Sequence, residues 1–383
     1  MKVKEIEFGE LYKSDSRNGI WKTSAFIGRG TPYVKMNELF SKKFISSEGD
    51  YELIELEERE KEKLLLNNED LLFSRTSVVP EGVGKCSIIC DLKDELAFDS
   101  NIIRVRLNNQ ICNPKYIFYY FNSPVGRGQI LSLANGAAVK TIKGSDLKKL
   151  KINLLGLPTQ RKIASILSAY DDLIENNLKR IKLLEEKAFV SYKLIVQNEK
   201  LEEFTIEELA NVVMGQSPTS DTYTNEKEDN LPFHQGVTNF SKYFVEHKIY
   251  CKAPIKIAEE GDILFSVRAP VGRINFTSDK ICIGRGLCAF RSKKGFQNYF
   301  YHQLKEFFFA EDVIGNGAIF NAVTKVELMK VKLKTPSEKI QQEFEVEAEQ
   351  MYNLILNLTN QNTKLREARD ILLPKLMNGQ IEV

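Results

Sequence analysis

Residues Leu157 to Val196 constrain this chain more than any other stretch. Leu157-Pro158-Thr159 opens the run, and a proline costs nothing in a first helical turn because its missing N–H would have had no partner there. From 159 to 196 there is neither Gly nor Pro. Apolar residues recur in alternating steps of four and three: Ile163, Leu167, Tyr170, Ile174, then Asn177, then Ile181, Leu184, Ala188, Ser191, Ile195. That is a heptad seam interrupted by one amide. At about 1.5 Å per residue it predicts a rod of roughly 55–60 Å. Such a stripe cannot be buried alone, so the rod needs a partner helix.

The C-terminal stretch supplies one. Pro336-Ser337-Glu338 opens a second run with the same spacing: Phe344, Ala348, Met351, Ile355, Leu358, Asn362, Leu365, Arg369, Leu372. It is expected to stop at Pro374, with Gly379 beyond. Each seam holds one amide, Asn177 and Asn362. If these face each other antiparallel, paired positions sum to 539 (177 + 362). Ile174 then meets Leu365, Ile181 meets Leu358, Leu184 meets Ile355 and Ala188 meets Met351. A buried seam Asn sets register at a cost in stability.

A chain of 383 residues is too long for one ordinary core and suits two to three domains. Its net charge of +2 makes it no polybasic coat. Any nucleic-acid contact must come from local patches. Cys86, Cys90, Cys112, Cys251, Cys282 and Cys288 form no CxxC pair, and His234, His247 and His302 are scattered, so no zinc-ligand spacing appears. Buried free thiols in a reducing compartment are expected. The start MKVKEIEFGE has no apolar core of a signal peptide, and no apolar run approaches a membrane span.

The segments preceding the two rods resemble each other. Glu69-Asp70-Leu71-Leu72-Phe73-Ser74-Arg75 matches Gly261-Asp262-Ile263-Leu264-Phe265-Ser266-Val267-Arg268, and Val83-Gly84-Lys85 matches Val271-Gly272-Arg273. Asn135-Gly136-Ala137 matches Asn316-Gly317-Ala318, and Leu147–Ile152 matches Leu328–Leu333, both at an offset of 181 (316 − 135 and 328 − 147). Four motifs in one order, each set followed by a rod, indicate a duplication. The expected fold class is α+β: two similar mixed α/β domains held apart by two long antiparallel coiled-coil helices, with an approximate two-fold.

Asp70–Phe73, Asp262–Ser266 and Ile102–Leu107 read as strands. Pro114–Phe121 and Asn298–Ala310 read as helices whose aromatics Tyr116, Phe118, Tyr119, Tyr120, Tyr299, Phe300, Phe307 and Phe308 suit a core. Phe26-Ile27-Gly28-Arg29-Gly30 has the look of an S-adenosylmethionine loop, but such a loop starts a helix and this one precedes Thr31-Pro32. Gly82-Val83-Gly84-Lys85-Cys86 lacks the first Gly and the Ser/Thr of a Walker A loop. No catalytic constellation stands out.

Surface candidates do. Lys140, Lys143, Lys148, Lys149 and Lys151 follow the first Asn135-Gly136 loop. Lys325, Lys330, Lys332 and Lys334 follow the second, Asn316-Gly317. Ser74 and Arg75, and Ser266 and Arg268, sit where strands end, with Lys85, Arg273 and Arg285 nearby in sequence. Lys and Arg neutralise phosphates, and Arg can read guanine O6 and N7 together. A solvated charged face is the plain alternative. Ile166, Leu173 and Phe189 beside the first seam, and Leu354 and Leu376 off the second, call for further cover, from partner helices or from the chain's own domains.

This pattern resembles the specificity subunit of type I restriction-modification enzymes, over essentially the whole chain. LPTQRKIASILSAYDDLIENNLKRIKLLEE is similar to that family's central region, and LREARDILLPKLMNGQIEV to its terminal helix. VVMGQSPTSDTYTNEKEDNLPFHQG looks like the opening of a target recognition domain and adds Gln216 and Gln235 to the DNA-binding candidates. The first domain lacks that GxSP opening, and Thr335-Pro336-Ser337-Glu338-Lys339 departs from the family's usual rod start. The resemblance implies target recognition domains at 1–157 and 198–335 and helices at 158–197 and 336–383. It implies a non-catalytic cytoplasmic chain that reads a split, asymmetric site in double-stranded DNA, with the rods as a ruler. Two methyltransferase subunits would carry S-adenosylmethionine and methylate adenine N6, and motor-nuclease subunits would use ATP and Mg. The chain itself would hold no cofactor or metal. The alternatives are a specificity chain of another restriction-methylation class, or an adaptor with a coiled-coil spacer that binds no DNA.

Overall fold

The computed structural model describes residues 3–136, 139–309 and 322–383. Two compact units are present: Met1–Glu175 with Thr363–Val383, and Asn176–Asn362. Each unit therefore contains one domain plus a segment of each long helix. The helices run Leu157–Asn198 and Glu338–Met377.

The first unit is built on a five-stranded sheet in the order Tyr12–Asn18, Ile102–Leu107, Leu71–Ser74, Cys86–Ile89, Phe44–Ile45. All neighbours are antiparallel except the last pair. Leu71–Ser74 and Cys86–Ile89 are wholly buried, as a central strand of alternating or continuous apolar residues demands. A second, three-stranded sheet joins Leu53–Ile54, Ile27–Val34 and Ala97–Phe98. The Gly28-Arg29-Gly30 stretch lies inside that strand rather than between a strand and a helix. Val3–Glu7 pairs with Lys151–Leu155, just before the first long helix.

The second unit repeats the plan. Four strands run Ala210–Met214, Leu287–Ser292, Ile263–Ser266, Ile274–Phe276, all antiparallel. A five-stranded sheet carries Leu231–His234 parallel to Ile281–Ile283. Glu202–Thr205 pairs with Lys332–Thr335 before the second long helix. One ion pair is duplicated in detail. Buried Asp70 accepts from Arg106 Nε and Nη2, each at 2.7 Å, and from the Asn67 N–H at 2.8 Å. Buried Asp262 accepts from Arg291 Nε and Nη2 at 2.7 and 2.8 Å, and from the Glu259 N–H at 2.9 Å. A bidentate fork is the geometry guanidinium and carboxylate prefer.

The aromatic helices are Pro114–Asn122 and Gln297–Phe309. Tyr116, Phe118, Tyr119, Tyr120, Tyr299, Phe300 and Phe308 are core residues, whereas Phe307 is exposed. In the second unit the long helices bury Ile181, Ala188, Met351, Ile355 and Leu358 in one cluster, with Leu184 packed at its edge. Lys187 pairs with Glu347 at 2.7 Å. In the first unit Leu167 and Ile174 are buried and Leu365 is half-buried. There Asp171 accepts from Tyr119 Oη at 2.6 Å and from Arg369 Nη1. Within the second unit the contacts Asn177–Asn362 and Lys187–Glu347 rise along one helix and fall along the other, so the helices pack antiparallel.

Pro374 does not end the second helix, which continues to Met377. A proline removes one intrahelical hydrogen bond and costs roughly 3 kcal/mol inside a helix. Continuation buries Leu373 and Leu376 in the first unit's core, which offsets that cost. The stop comes one turn later. Gly379 takes φ +74°, and the Gln380 and Ile381 N–H groups donate to Lys375 O. Leu376 is thus covered by the chain's own domain, and Leu354 packs against the second unit's core. Ile166, Leu173 and Phe189 are open to solvent. The six cysteines are free thiols, and all but half-buried Cys90 are buried. Among the described residues no helix is long and apolar enough to cross a membrane.

Candidate nucleic-acid interface

Backbone hydrogen bonds gather five loops of the second domain at one place. The Gly215 N–H donates to Leu287 O at 2.9 Å, and Gln216 N–H to Ile283 O at 3.0 Å. Gly284 N–H donates to His234 O at 2.8 Å, and Gly286 N–H to Gln235 O at 3.1 Å. Val267 N–H donates to Gly286 O, and Val323 N–H to Val267 O, each at 3.0 Å. One serine hydroxyl ties two of these loops through their side-chain and backbone groups. Ser217 Oγ donates to Gln235 Oε1 at 2.8 Å and accepts from the Arg285 N–H at 3.1 Å.

The close approach depends on glycine. A Cβ at Gly284 would lie 2.6 Å from Gln235 Oε1 and 2.9 Å from Gln235 Cα, and one at Gly286 would lie 2.5 Å from Gln235 O. With hydrogen there instead, Gln216, Gln235, Arg268 and Arg285 are presented to solvent from linked loops. Gln can offer a donor and an acceptor to one adenine edge, and Arg two donors to one guanine edge. Arg273 and Lys325 are also exposed. Arg273 N–H donates to Ser266 Oγ at 2.8 Å, and Lys325 opens the short helix Lys325–Met329.

Beneath Gln235 the structure draws together residues that are distant in sequence. His234 Nε2 lies 2.9 Å from His247 Nδ1, and His247 Nε2 lies 3.0 Å from Asp279 Oδ2. Two of the three histidines, scattered in sequence, thus form a chain ending on a carboxylate. Burial, then the His247 ring, pushes the His234 pKa down to about 4, so its imidazole is neutral at pH 7. That chain supports the strand end from which Gln235 projects.

In the first domain the strand end meets the segment that follows the Asn135-Gly136 loop. Ile142 N–H donates to Arg75 O at 3.0 Å, the counterpart of Val323 on Val267. Lys140 and Thr141 pair antiparallel with Ser77 and Thr76. Asn135 and Thr141 exchange two backbone bonds, and Gly136 beside them takes φ +107°. Asn135 and Lys143 are exposed there. Lys140 Nζ donates to Gly136 O at 2.7 Å, and Arg75 Nη1 reaches Ser100 O at 3.5 Å. Asn316 and Gly317 lie outside the described residues.

Three candidate side chains are turned inward. Ser74 is buried, its Oγ donating to Gly82 O at 2.5 Å and accepting from Lys85 N–H at 2.9 Å. Ser266 does the same with Pro270 O and Arg273 N–H. Both hydroxyls hold their loop's shape. Lys85 Nζ donates to Phe40 O, and burial lowers its pKa. Sequence reasoning passed over two residues that shape these loops. One is Ser217, whose signal was its place in GQSP. The other is Arg127, which donates to Gly84 O, Glu81 O and Val83 O at 2.8–3.0 Å and had no sequence signal.

Comparison with known proteins follows the same line. Residues 1–186 and 198–366 each match the family described as type I restriction modification DNA specificity domain. The chain is 30% identical over 390 residues to the putative type I restriction enzyme MjaX specificity subunit of Methanocaldococcus jannaschii, covering 96% of this chain and 91% of that one. It is 28% identical over 180 residues to the type I restriction enzyme EcoKI specificity subunit of Escherichia coli, covering 46% of this chain and 38% of that protein. The crystal structure of the type I restriction-modification system S subunit from M. genitalium shares the fold, with a TM-score of 0.64 at 18% identity, covering 98% of this chain and 96% of that one. Two matched domains, a relative aligned over nearly its full length and the duplicated fold lead to one conclusion: the chain belongs to the type I restriction-modification DNA specificity family and is a specificity subunit with two target recognition domains.

Proposed function

We propose that this chain reads a bipartite, asymmetric sequence in double-stranded DNA, one half per domain, and performs no chemistry itself. The observation that carries the reading is the convergence of loops in the second domain, which presents Gln216, Gln235, Arg268 and Arg285 together. In the first domain Arg75, Asn135, Gly136, Lys140 and Lys143 surround the corresponding loops. The loops differ in sequence between domains, so the two half-sites differ. Lys143, Arg273 and Lys325 suit phosphate contacts, which position a protein without reading bases.

The long helices set the unread spacer between the halves. Two methyltransferase subunits dock on the helices and domains, bring S-adenosylmethionine, and flip an adenine out for N6 methylation. Motor-nuclease subunits that use ATP and Mg join for cleavage. The setting is the cytoplasm, where such DNA is met.

The test is adenine methylation mapped across genomic DNA after co-expression of this chain with its methyltransferase subunit. A split motif around a fixed gap is expected. Arg285→Ala should relax one position in one half and leave the other half intact, since a bidentate base contact contributes about 1–3 kcal/mol of discrimination. No motif from a folded complex would overturn the DNA-reading function.

A further inference from the structure

The first domain lacks the GQSP opening, so its residue order marks no counterpart of the Ser217–Gln235–Arg285 edge. Backbone hydrogen bonds do. Gly19 N–H donates to Ile102 O at 3.2 Å, as Gly215 does to Leu287 O at 2.9 Å. Ile102 N–H donates to Asp99 O at 3.0 Å, as Leu287 does to Gly284 O at 3.0 Å. Asp99 N–H donates to Val34 O at 2.9 Å, as Gly284 does to His234 O at 2.8 Å. Arg75 N–H donates to Asn101 O at 2.7 Å, as Val267 does to Gly286 O at 3.0 Å. The parallel strand pairs agree, Tyr33 and Val34 on Ala97 and Phe98 against Phe233 and His234 on Cys282 and Ile283.

These bonds place Ser100 where Arg285 stands, Lys35 where Gln235 stands, and Trp21 where Ser217 stands. Lys35 is engaged by Glu52 at 2.7 Å, and Ser100 is half-buried. Trp21 is 71% exposed. Its exposure is not that of a loose loop. Ile20 on one side packs against the domain core and accepts from Ser100 N–H at 3.0 Å, and Lys22 on the other pairs with Glu60 at 2.6 Å. A large apolar ring held out to solvent by anchored neighbours costs free energy unless something covers it. Indole combines a flat apolar face with one N–H donor, which suits contact with a thymine methyl and an acceptor on a base edge.

We propose that Trp21 is a specificity-determining residue of the first domain and contacts the DNA half-site that domain reads. This rests on the DNA-reading function above. Trp21 is the chain's single tryptophan, so it can be observed alone. The chain is labelled with 5-fluorotryptophan and assembled with unlabelled methyltransferase subunit, and its one fluorine resonance is followed as duplexes are added. The duplexes carry the motif mapped by methylation, with the second half identified as the one that Arg285→Ala alters. The resonance should move with the full site and with a scrambled second half, and not with a scrambled first half. Trp21→Ala should relax the first half alone and weaken binding about 5- to 150-fold. A resonance that stays put while the complex binds its site overturns the proposal, as does one that moves when the methyltransferase is added and not again with DNA. In both cases a split wild-type motif would leave the DNA-reading function standing. Absence of any motif would overturn both.

Discussion

Asn177 Nδ2 donates a 2.9 Å hydrogen bond to Asn362 Oδ1, with both side chains buried between the long helices of the second unit. A buried amide pair disfavours any other register, because a shift would set each amide against a hydrocarbon side chain. Asn362→Ala should cost about 1–3 kcal/mol, the desolvation of a buried group that loses its partner. Asn177→Leu with Asn362→Leu should be more stable than either single change. Urea unfolding of the three variants checks this. A single variant as stable as wild type would show that the pair does not hold the register.

The first unit uses charge where the second uses amides. Asp171 accepts from Tyr119 Oη at 2.6 Å and is paired with Arg369, and both charged side chains are about nine-tenths covered. Removing one partner strands a buried charge. Asp171→Ala should therefore cost about 3–5 kcal/mol, and Asp171→Leu with Arg369→Met much less. Tyr119→Phe should fall between, near about 2 kcal/mol. Denaturant midpoints decide it. Equal damage from the single and double changes at Asp171 would contradict the account.

Acid should destabilise the second unit. All three histidines, at 234, 247 and 302, lie within Asn176–Asn362. Burial, then Lys305, pushes His302 down to about 3, and burial, then His247, pushes His234 to about 4. Their folded values are depressed below the unfolded value of about 6.5. The unfolded chain thus binds protons that the folded chain refuses. Stability is full above about pH 6.5 and is lost as pH falls from there toward 4 and 3, by about 2 kcal/mol at pH 5 for each group. Thermal unfolding at pH 7 and pH 5 should show that loss, and His302→Gln should shrink it. An unchanged pH dependence in His302→Gln would assign the acid sensitivity elsewhere.

The duplicated ion pair permits an internal comparison. Asp70 and Asp262 are equally buried, but the Arg106 side chain is 23% exposed and Arg291 is 51% exposed. Solvent screens the second pair more. Asp70→Ala should cost about 2–4 kcal/mol and Asp262→Ala visibly less. Thermal midpoints of the two variants test the order, and the reverse order would refute it.

The long helices were legible because their periodicity is a local property. The seam shows in steps of three and four, and two lone amides suffice to pair the helices antiparallel. The aromatic helices were legible as core for the same reason, apart from Phe307, which points outward. Pro374 misled because the local rule against proline ignores what the next turn buries. Leu373 and Leu376 reach the first unit's core, and tertiary packing outweighs one lost hydrogen bond.

The candidate interface was legible only in outline. Arg268 and Arg285 drew attention by residue type, and Gln216 and Gln235 by the stretch that looks like a domain opening. Ser74, Ser266 and Lys85 drew it too, yet the structure turns them inward, because a hydroxyl or an ammonium near a loop satisfies the loop's own backbone as readily as a ligand.

The sequence by itself determined the two rods, their antiparallel pairing and the duplication of the domains, since heptads and repeated motifs are written in residue order. Only the tertiary structure decided which loops meet and that Trp21 answers to Ser217. The counterparts stand at offsets of 196 (215 − 19), 200 (234 − 34), 185 (284 − 99) and 181 (323 − 142). Loops of unequal length slide the register, and the bonds that define the match are backbone to backbone, so they leave no signature in side-chain identity.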